Sequence, residues 1–270
     1  MESSSRRVIR FVDGVATSAD DLLAVEEPLE IRLAGVPVAV LMRTPGMERE
    51  LALGFGLTEG ILLSPAEMSE VVRLEDGDRW EMVLAPGVHI DPEQFRRSMY
   101  TSSSCGVCGK ASIDAVKITA RPLPAGPVVA STLIHGLPDS LLARQRGFAS
   151  TGGLHAAAIF DVDGSVLSWA EDIGRHNATD KAIGALAAAR WPLGEVLLQV
   201  SGRVSFEIAQ KAAVAGIPIV LGVSAASSLA VELADDLGMT LIGFVRGEGF
   251  VVYAGEERVK DEPATQTVGG

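Results

Sequence analysis

Beyond residue 150 the chain alternates short apolar runs with stretches of helical spacing, and this regularity leaves few architectures open. Strands are expected over residues 155–160, 166–170, 195–200, 217–223, 240–245 and 250–253, with helices over 177–189, 205–215 and 227–237. Each such element has one apolar face to bury, so the arrangement that satisfies all of them is an α/β fold, a sheet with helices on both faces.

The first half reads differently. Residues 25–42 alternate with period two around a break at Gly35, which predicts a hairpin. Leu51, Phe55, Ile61 and Leu62 follow at roughly helical spacing, and residues 71–74 and 80–84 predict a second hairpin. Together they make a smaller α+β subdomain over residues 1–120. It ends in a polar, glycine-flanked loop, residues 98–110, expected to be mobile. Pro122, Pro124, Gly126 and Pro127 mark the connector to the α/β domain, residues 121–255. A helix is expected from Pro138 to Gly147 with Leu141 and Leu142 buried, and residues 256–270 are expected to form a disordered tail.

Charge narrows the partners. The 270 residues hold 35 acidic against 23 basic side chains, a net charge of −12, which argues against a generally basic face for nucleic acid. With 47% hydrophobic residues the chain can pay for its own ordering, so disorder is excluded as well. The longest apolar runs, residues 37–42 and 217–223, fall far short of the roughly 18 to 20 residues that cross a bilayer. The opening MESSSRRVIRFVDG has no apolar stretch of signal-peptide length, so a soluble, cytoplasmic protein without membrane partners is expected.

Two features carry chemistry. Cys105 and Cys108, in Cys-Gly-Val-Cys, are the only cysteines, and Lys110 follows them. Four readings compete: a structural zinc site, a thioredoxin-like dithiol, an inert pair, and a sulfur-handling nucleophile, which leads. Zinc lacks a second Cys-x-x-Cys, so no metal site is expected. The zinc deaminase pattern fails too, with His89-Ile90-Asp91 in place of His-x-Glu and Ser104 where proline should stand.

The second feature is a set of small-residue turns at 171–177, 201–205 and 224–228, at the carboxyl ends of expected strands, where α/β sheets collect ligands. Residues 151–249 contain six basic side chains against eleven acidic ones. Arg175, Lys181, Arg203, Lys211 and Arg246 all fall in or beside these turns or in the segment 243–246, as a phosphate-bearing ligand would require. Ordinary structural roles compete at each position: Asn177 with Asp180 resembles a capping box, Ser205 and Ser227 suit N-caps, and Lys181 or Lys211 can simply solvate a helix. His155 and His176 can titrate near neutrality or merely pack, Glu171 and Asp172 pair with an arginine or cap a helix, and Glu207 fits the dipole of its helix.

Read in order, S-S-C-G-V-C-G-K (103–110), T-G-G-L-H-A-A-A (151–158), E-D-I-G-R-H-N-A-x-D-K (171–181) and S-G-R-V-S-F-E (201–207) resemble the FdhD family of formate dehydrogenase accessory sulfurtransferases. E-E-P-L-E-I-R-L (26–33) and R-T-P-G-M-E-R-E-L-A-L-G-F (43–55) extend the resemblance to about residues 25–254. The departures are Ala34 before Gly35, where asparagine is expected, and Gly56 in place of an aliphatic residue.

The resemblance implies a sulfur carrier. It implies a cytidine-deaminase-like three-layer sandwich with a mixed sheet, plus the smaller N-terminal subdomain. Sulfur would arrive as a persulfide from a cysteine desulfurase and pass to the molybdenum bis-molybdopterin guanine dinucleotide cofactor before insertion into the formate dehydrogenase catalytic subunit. It further implies a homodimer, a site that also holds guanine nucleotide such as GDP, and no zinc. By position, Cys105 is the persulfide-bearing residue with Cys108 as its partner. Phe244, Val245, Arg246, Gly247, Glu248 and Gly249 form the cofactor-contact segment, joined by Arg175, His176, Lys181, Ser201, Arg203 and Ser224. A cofactor-binding chaperone that moves no sulfur and a dithiol oxidoreductase are the rivals.

Overall fold

The computed structural model describes residues 3–75, 77–95, 121–247 and 249–261. Cys105, Cys108, Glu248 and the expected loop at 98–110 lie outside the described residues, as do residues 262–270. The chain opens with a two-stranded antiparallel ribbon of β1 (Ser3–Val12) and β2 (Val15–Ala24), which sequence patterning missed.

In β3 (Glu27–Leu33) the apolar Leu29, Ile31 and Leu33 alternate with Glu30 and Arg32, so one face of the strand is buried. It pairs with β4 (Val36–Arg43) through the turn at Ala34-Gly35, where both residues take positive φ. Gly35 tolerates that region without strain, as two-residue hairpin turns require. After α1 (Glu48–Thr58), strands β5 (Met68–Arg73) and β6 (Arg79–Leu84) complete a four-stranded sheet of order β4-β3-β6-β5. Leu51, Phe55 and Leu57 of α1 close its core over Leu29, Ile31 and Met82.

The second half follows through β7 (Val129–Ala130), α2 (Ser131–Leu142), α3 (Arg146–Thr151), β8 (His155–Asp161), β9 (Val166–Asp172) and α4 (Arg175–Ala187). It continues with β10 (Val196–Val200), α5 (Phe206–Val214), β11 (Ile219–Gly222), α6 (Ser228–Leu237), β12 (Thr240–Arg246), β13 (Gly249–Ala254) and β14 (Val259–Lys260). Six strands form one mixed sheet of order β13-β12-β11-β10-β8-β9. Helices α4, α5 and α6 bury Ala182, Ile208 and Leu233 against one face, while α2 buries Ile134, Leu137 and Leu141 against the other.

Strands β10, β11 and β12 are parallel, with β8 antiparallel to β10, β9 antiparallel to β8 and β13 antiparallel to β12. The carboxyl ends of β9, β10, β11 and β12 and the starts of β8 and β13 therefore share one edge. Every turn singled out in the sequence opens there.

Two expectations change. The helix expected to start at Pro138 starts at Ser131 and carries Pro138 inside it, because Ile134, Leu137 and Leu141 form one apolar stripe that outweighs the missing donor. Leu142, expected in the core, points about 100° away from Leu141 and is exposed. The expected disordered tail has an ordered start: a single 3-10 turn, Glu256–Arg258, leads into β14, which pairs with β7, and buried Arg258 donates to Thr240 Oγ1 at 3.3 Å. Five residues are too short to show periodicity.

Candidate functional site

Asp172, fully buried at the end of β9, sets the first wall of the shared edge. Its Oδ1 accepts from Gly174 N–H at 2.8 Å and Asn177 Nδ2 at 3.0 Å. Its Oδ2 accepts from Thr44 N–H at 3.1 Å and meets Lys181 Nζ at 2.7 Å. These bonds hold the turn from which Arg175 and His176 open α4. They also occupy Lys181, which reaches the Thr44 carbonyl at 2.8 Å and is almost fully buried. Expected as an anion ligand, Lys181 is instead an internal tie to the loop after β4. The capping-box reading of Asn177 with Asp180 is likewise replaced: Gly174 is the N-cap, and Asp180 pairs with Lys211.

The next three turns are laced together through backbone. Val204 N–H donates to the Ala225 carbonyl at 3.1 Å, Ser227 N–H to the Val204 carbonyl at 3.0 Å, and Phe244 N–H to the Ser224 carbonyl at 3.0 Å. A Cβ on Gly222 would come within 2.9 Å of the Gly202 carbonyl oxygen, and one on Gly243 within 2.9 Å of the Ser224 carbonyl oxygen. Glycine at the end of β11 and within β12 is what lets the turns close up side by side. Ser201 faces β8, its Oγ accepting from Ala156 N–H at 2.8 Å.

Phe244 then takes φ 54°, an uncommon conformation for an aromatic residue, at the irregular register between β12 and β13. The turn brings the Arg246 guanidinium within 5.4 Å of the Phe244 ring centroid. Arg246, Gly247 and Gly249 are exposed, whereas Val245 is fully buried in the core and can offer only its backbone.

Arginines gather on this edge. Arg175 and exposed Arg203 line it, and α4 and α5 both begin there without a side-chain cap. Ser205, expected to cap α5, leaves its Oγ buried with no hydrogen-bond partner among the described residues, and Arg175 Nε is in the same condition. Ser227 does cap α6, accepting from Ala230 N–H at 3.3 Å. Uncapped helix starts, arginines and orphaned donors together suit an anion. Glu171 does not oppose it, since both carboxylate oxygens are taken by Gly147 N–H at 2.9 Å and Phe148 N–H at 2.7 Å at the start of α3.

Two histidines complete the edge. His176 Nε2 lies 2.6 Å from Glu207 Oε2. Burial opposes the Glu207 charge, but the His176 hydrogen bond and the positive charges of His176, Lys211 and Arg175 outweigh it and hold the carboxyl below its ordinary range. His155 is pushed down by burial and by Arg175 and His176, against the pull of Asp172. A depressed folded-state value means that the Glu207 contribution to stability is full above its unfolded value and fades as the pH falls through the folded one. Urea midpoints of wild type and Glu207→Gln should therefore differ at pH 7 and converge towards pH 3; a gap that stayed constant would contradict the pairing.

Sequence reasoning singled out Arg175, His176, Ser201, Arg203, Ser224, Phe244 and Arg246, which the fold sets at or beside this one sheet edge. It missed Thr44 and the anchoring role of Asp172, whose partners lie well over a hundred residues apart in sequence. The motif R-T-P-G was the available signal.

The FdhD/NarQ family model matches residues 24–260. The chain is 51% identical over 266 residues to the sulfur carrier protein FdhD of Streptomyces coelicolor, covering 94% of each. It is 47% identical over 271 residues to the protein of that name in Mycobacterium tuberculosis, covering 95% of this chain and 98% of that one. Its fold is similar to the crystal structure of a candidate formate dehydrogenase accessory protein from Desulfotalea psychrophila, with TM-score 0.78 at 22% identity over 96% of this chain and 100% of that one. On the extent of the family match and the identity to these relatives, the chain belongs to the FdhD/NarQ family.

Proposed function

We propose that this protein is a cytoplasmic sulfur carrier that serves formate dehydrogenase. In this reading the Cys105 thiolate attacks the sulfane sulfur of a persulfide on a cysteine desulfurase, and the donor's cysteine leaves as a thiolate. The loaded protein then delivers sulfur to the bis-molybdopterin guanine dinucleotide cofactor, its substrate, before the cofactor enters the formate dehydrogenase catalytic subunit. Attack of Cys108 on the Cys105 sulfur releases the terminal atom as hydrosulfide and leaves a disulfide, which a cellular thiol reduces. The layered body serves as a cytidine-deaminase-like scaffold whose sequence lacks the zinc pattern, and the protein works as a homodimer.

The observation that carries this reading is the convergence of Arg175, Arg203 and Arg246 with two uncapped helix starts on one sheet edge. Such an edge suits the pyrophosphate groups of a dinucleotide cofactor, and the Phe244 ring beside Arg246 suits a planar base. The relatives named sulfur carriers support the other half of the role.

Incubation with a desulfurase and cysteine should add about 32 Da per sulfur to the Cys105 peptide. Cys105→Ala should gain nothing and leave formate dehydrogenase inactive while still binding GDP, whereas Arg246→Ala should load sulfur and bind GDP at least about tenfold more weakly. A Cys105→Ala protein that still took up sulfur and activated the dehydrogenase would remove the carrier role. If Cys105→Ala and Cys108→Ala together left sulfuration intact, the chaperone reading would stand instead.

A further inference from the structure

A carboxylate on an edge where arginines gather needs a physical reason, because it repels the anion those arginines would hold. Glu207 stands in the first turn of α5 with its side chain 12% exposed. His176 meets it from the first turn of α4, Nε2 lying 2.6 Å from Oε2, and its side chain is 23% exposed. The imidazole is thus the more exposed member of the pair and the carboxylate the deeper one. Ser205 and Arg175, the chain neighbours of this pair, hold the buried Oγ and Nε that lack hydrogen-bond partners among the described residues.

The other charges around the pair are committed elsewhere or fixed. Lys211, one turn along α5, is shared by Asp180 of α4 and Glu59 at the end of α1. Asp172 of β9 closes on Lys181, and Arg43 at the end of β4 closes on Glu27 and Glu48. Glu171 is taken by the backbone at the start of α3. His155, at the start of β8, is pushed down by burial and by Arg175 and His176, so it is mostly uncharged above pH 6.5. Arg175, Arg203 and Arg246 keep their charge throughout. His176 differs from all of these: it is a histidine in direct contact with a carboxylate, and histidine can change its charge within the neutral range.

We propose that His176 is a proton-dependent mask for Glu207. Protonated, its imidazolium offsets the carboxylate, and the edge admits an anion bearing a diphosphate. Deprotonated, it leaves that anion facing the bare charge of Glu207, which favours release. This role rests on the anion edge of the functional reading and adds to it a proton taken up on binding and returned on release.

The probe is diguanosine diphosphate, two guanosines joined through a pyrophosphate, which lacks the terminal phosphate ionisation at about pH 6. Its affinity for the full wild-type chain should fall at least about fivefold from pH 6.5 to 8.5, and calorimetry in buffers of different ionisation enthalpy should show proton uptake on binding. His176→Gln strands the carboxylate and should bind the probe about tenfold more weakly than wild type at pH 6.5, with little dependence on pH. Adding Glu207→Gln to His176→Gln removes the stranded charge and should restore most of that affinity, a rescue that purely structural parts for the two residues would not give. An affinity that stays level across this range in wild type, or a double variant no tighter than His176→Gln, would overturn the mask. A wild type that does not bind the probe at any pH would remove the anion edge of the functional reading and this proposal with it. Failure of Cys105 to take up sulfur would count against the carrier role alone.

Discussion

Gly184→Ala is expected to cost the protein about 3 kcal/mol or more of stability, a large share of the roughly 5 to 15 kcal/mol available to a domain. In an isolated helix the same change would help, by up to about 1 kcal/mol. Packing decides the sign. A Cβ on Gly184 of α4 would overlap the Glu50 carbonyl oxygen and come within 2.8 Å of Gly54 N in α1. A Cβ on Gly54 would in turn overlap the Asp180 carbonyl oxygen. Both obstacles are backbone, so relief comes only from moving the helices apart, which opens the core around Leu51 and Phe55 and stretches the ties to Thr44 and Thr58. Gly136→Ala in α2 is the control, because its Cβ would meet nothing within 4 Å and should raise stability by up to about 1 kcal/mol. Urea denaturation of both variants tests the contrast, and a Gly184→Ala midpoint equal to wild type would refute the contact.

This helix crossing also explains what the sequence could reveal. From residue 155 to 254 the apolar periodicity of strands and helices is strong because each element is covered on at least one face, and the observed boundaries fall close to the expected ones. The turns stood out because small residues are needed where backbones approach, as at Gly222 and Gly243. The ribbon over residues 3–24 gave no such signal: both its faces are largely exposed, so nothing imposes alternation between apolar and polar residues. Lys181 and Lys211 were read as ligand or solvent residues because lysine is seldom buried. Their partners Thr44, Thr58 and Glu59 lie more than a hundred residues away, and no local pattern can announce them.

Lys211→Met should destabilise the fold by about 3 to 5 kcal/mol at neutral pH, as expected when one partner of a buried ion pair is removed. Lys211 Nζ lies 2.9 Å from each of Asp180 Oδ2, Glu59 Oε1 and Thr58 Oγ1, joining α5 to α4 and to the end of α1. Burial works against its charge, but Asp180 and Glu59 outweigh that penalty and hold the ammonium above the ordinary lysine value. In the variant, Asp180 keeps the burial that pushes its carboxyl up and loses the cation that pulls it down. A raised folded-state value is favourable below the unfolded one and is lost as the pH rises through it. The deficit of Lys211→Met should therefore shrink as the pH is lowered from 8 to 5, where Asp180 can take up a proton. Adding Asp180→Asn should recover most of the loss at pH 8, because the remaining site then holds one fewer uncompensated charge. Unfolding free energies at the two pH values decide it: a deficit independent of pH, or a double variant no more stable than Lys211→Met, would show that lost packing around Lys211 rather than a stranded carboxylate sets the cost.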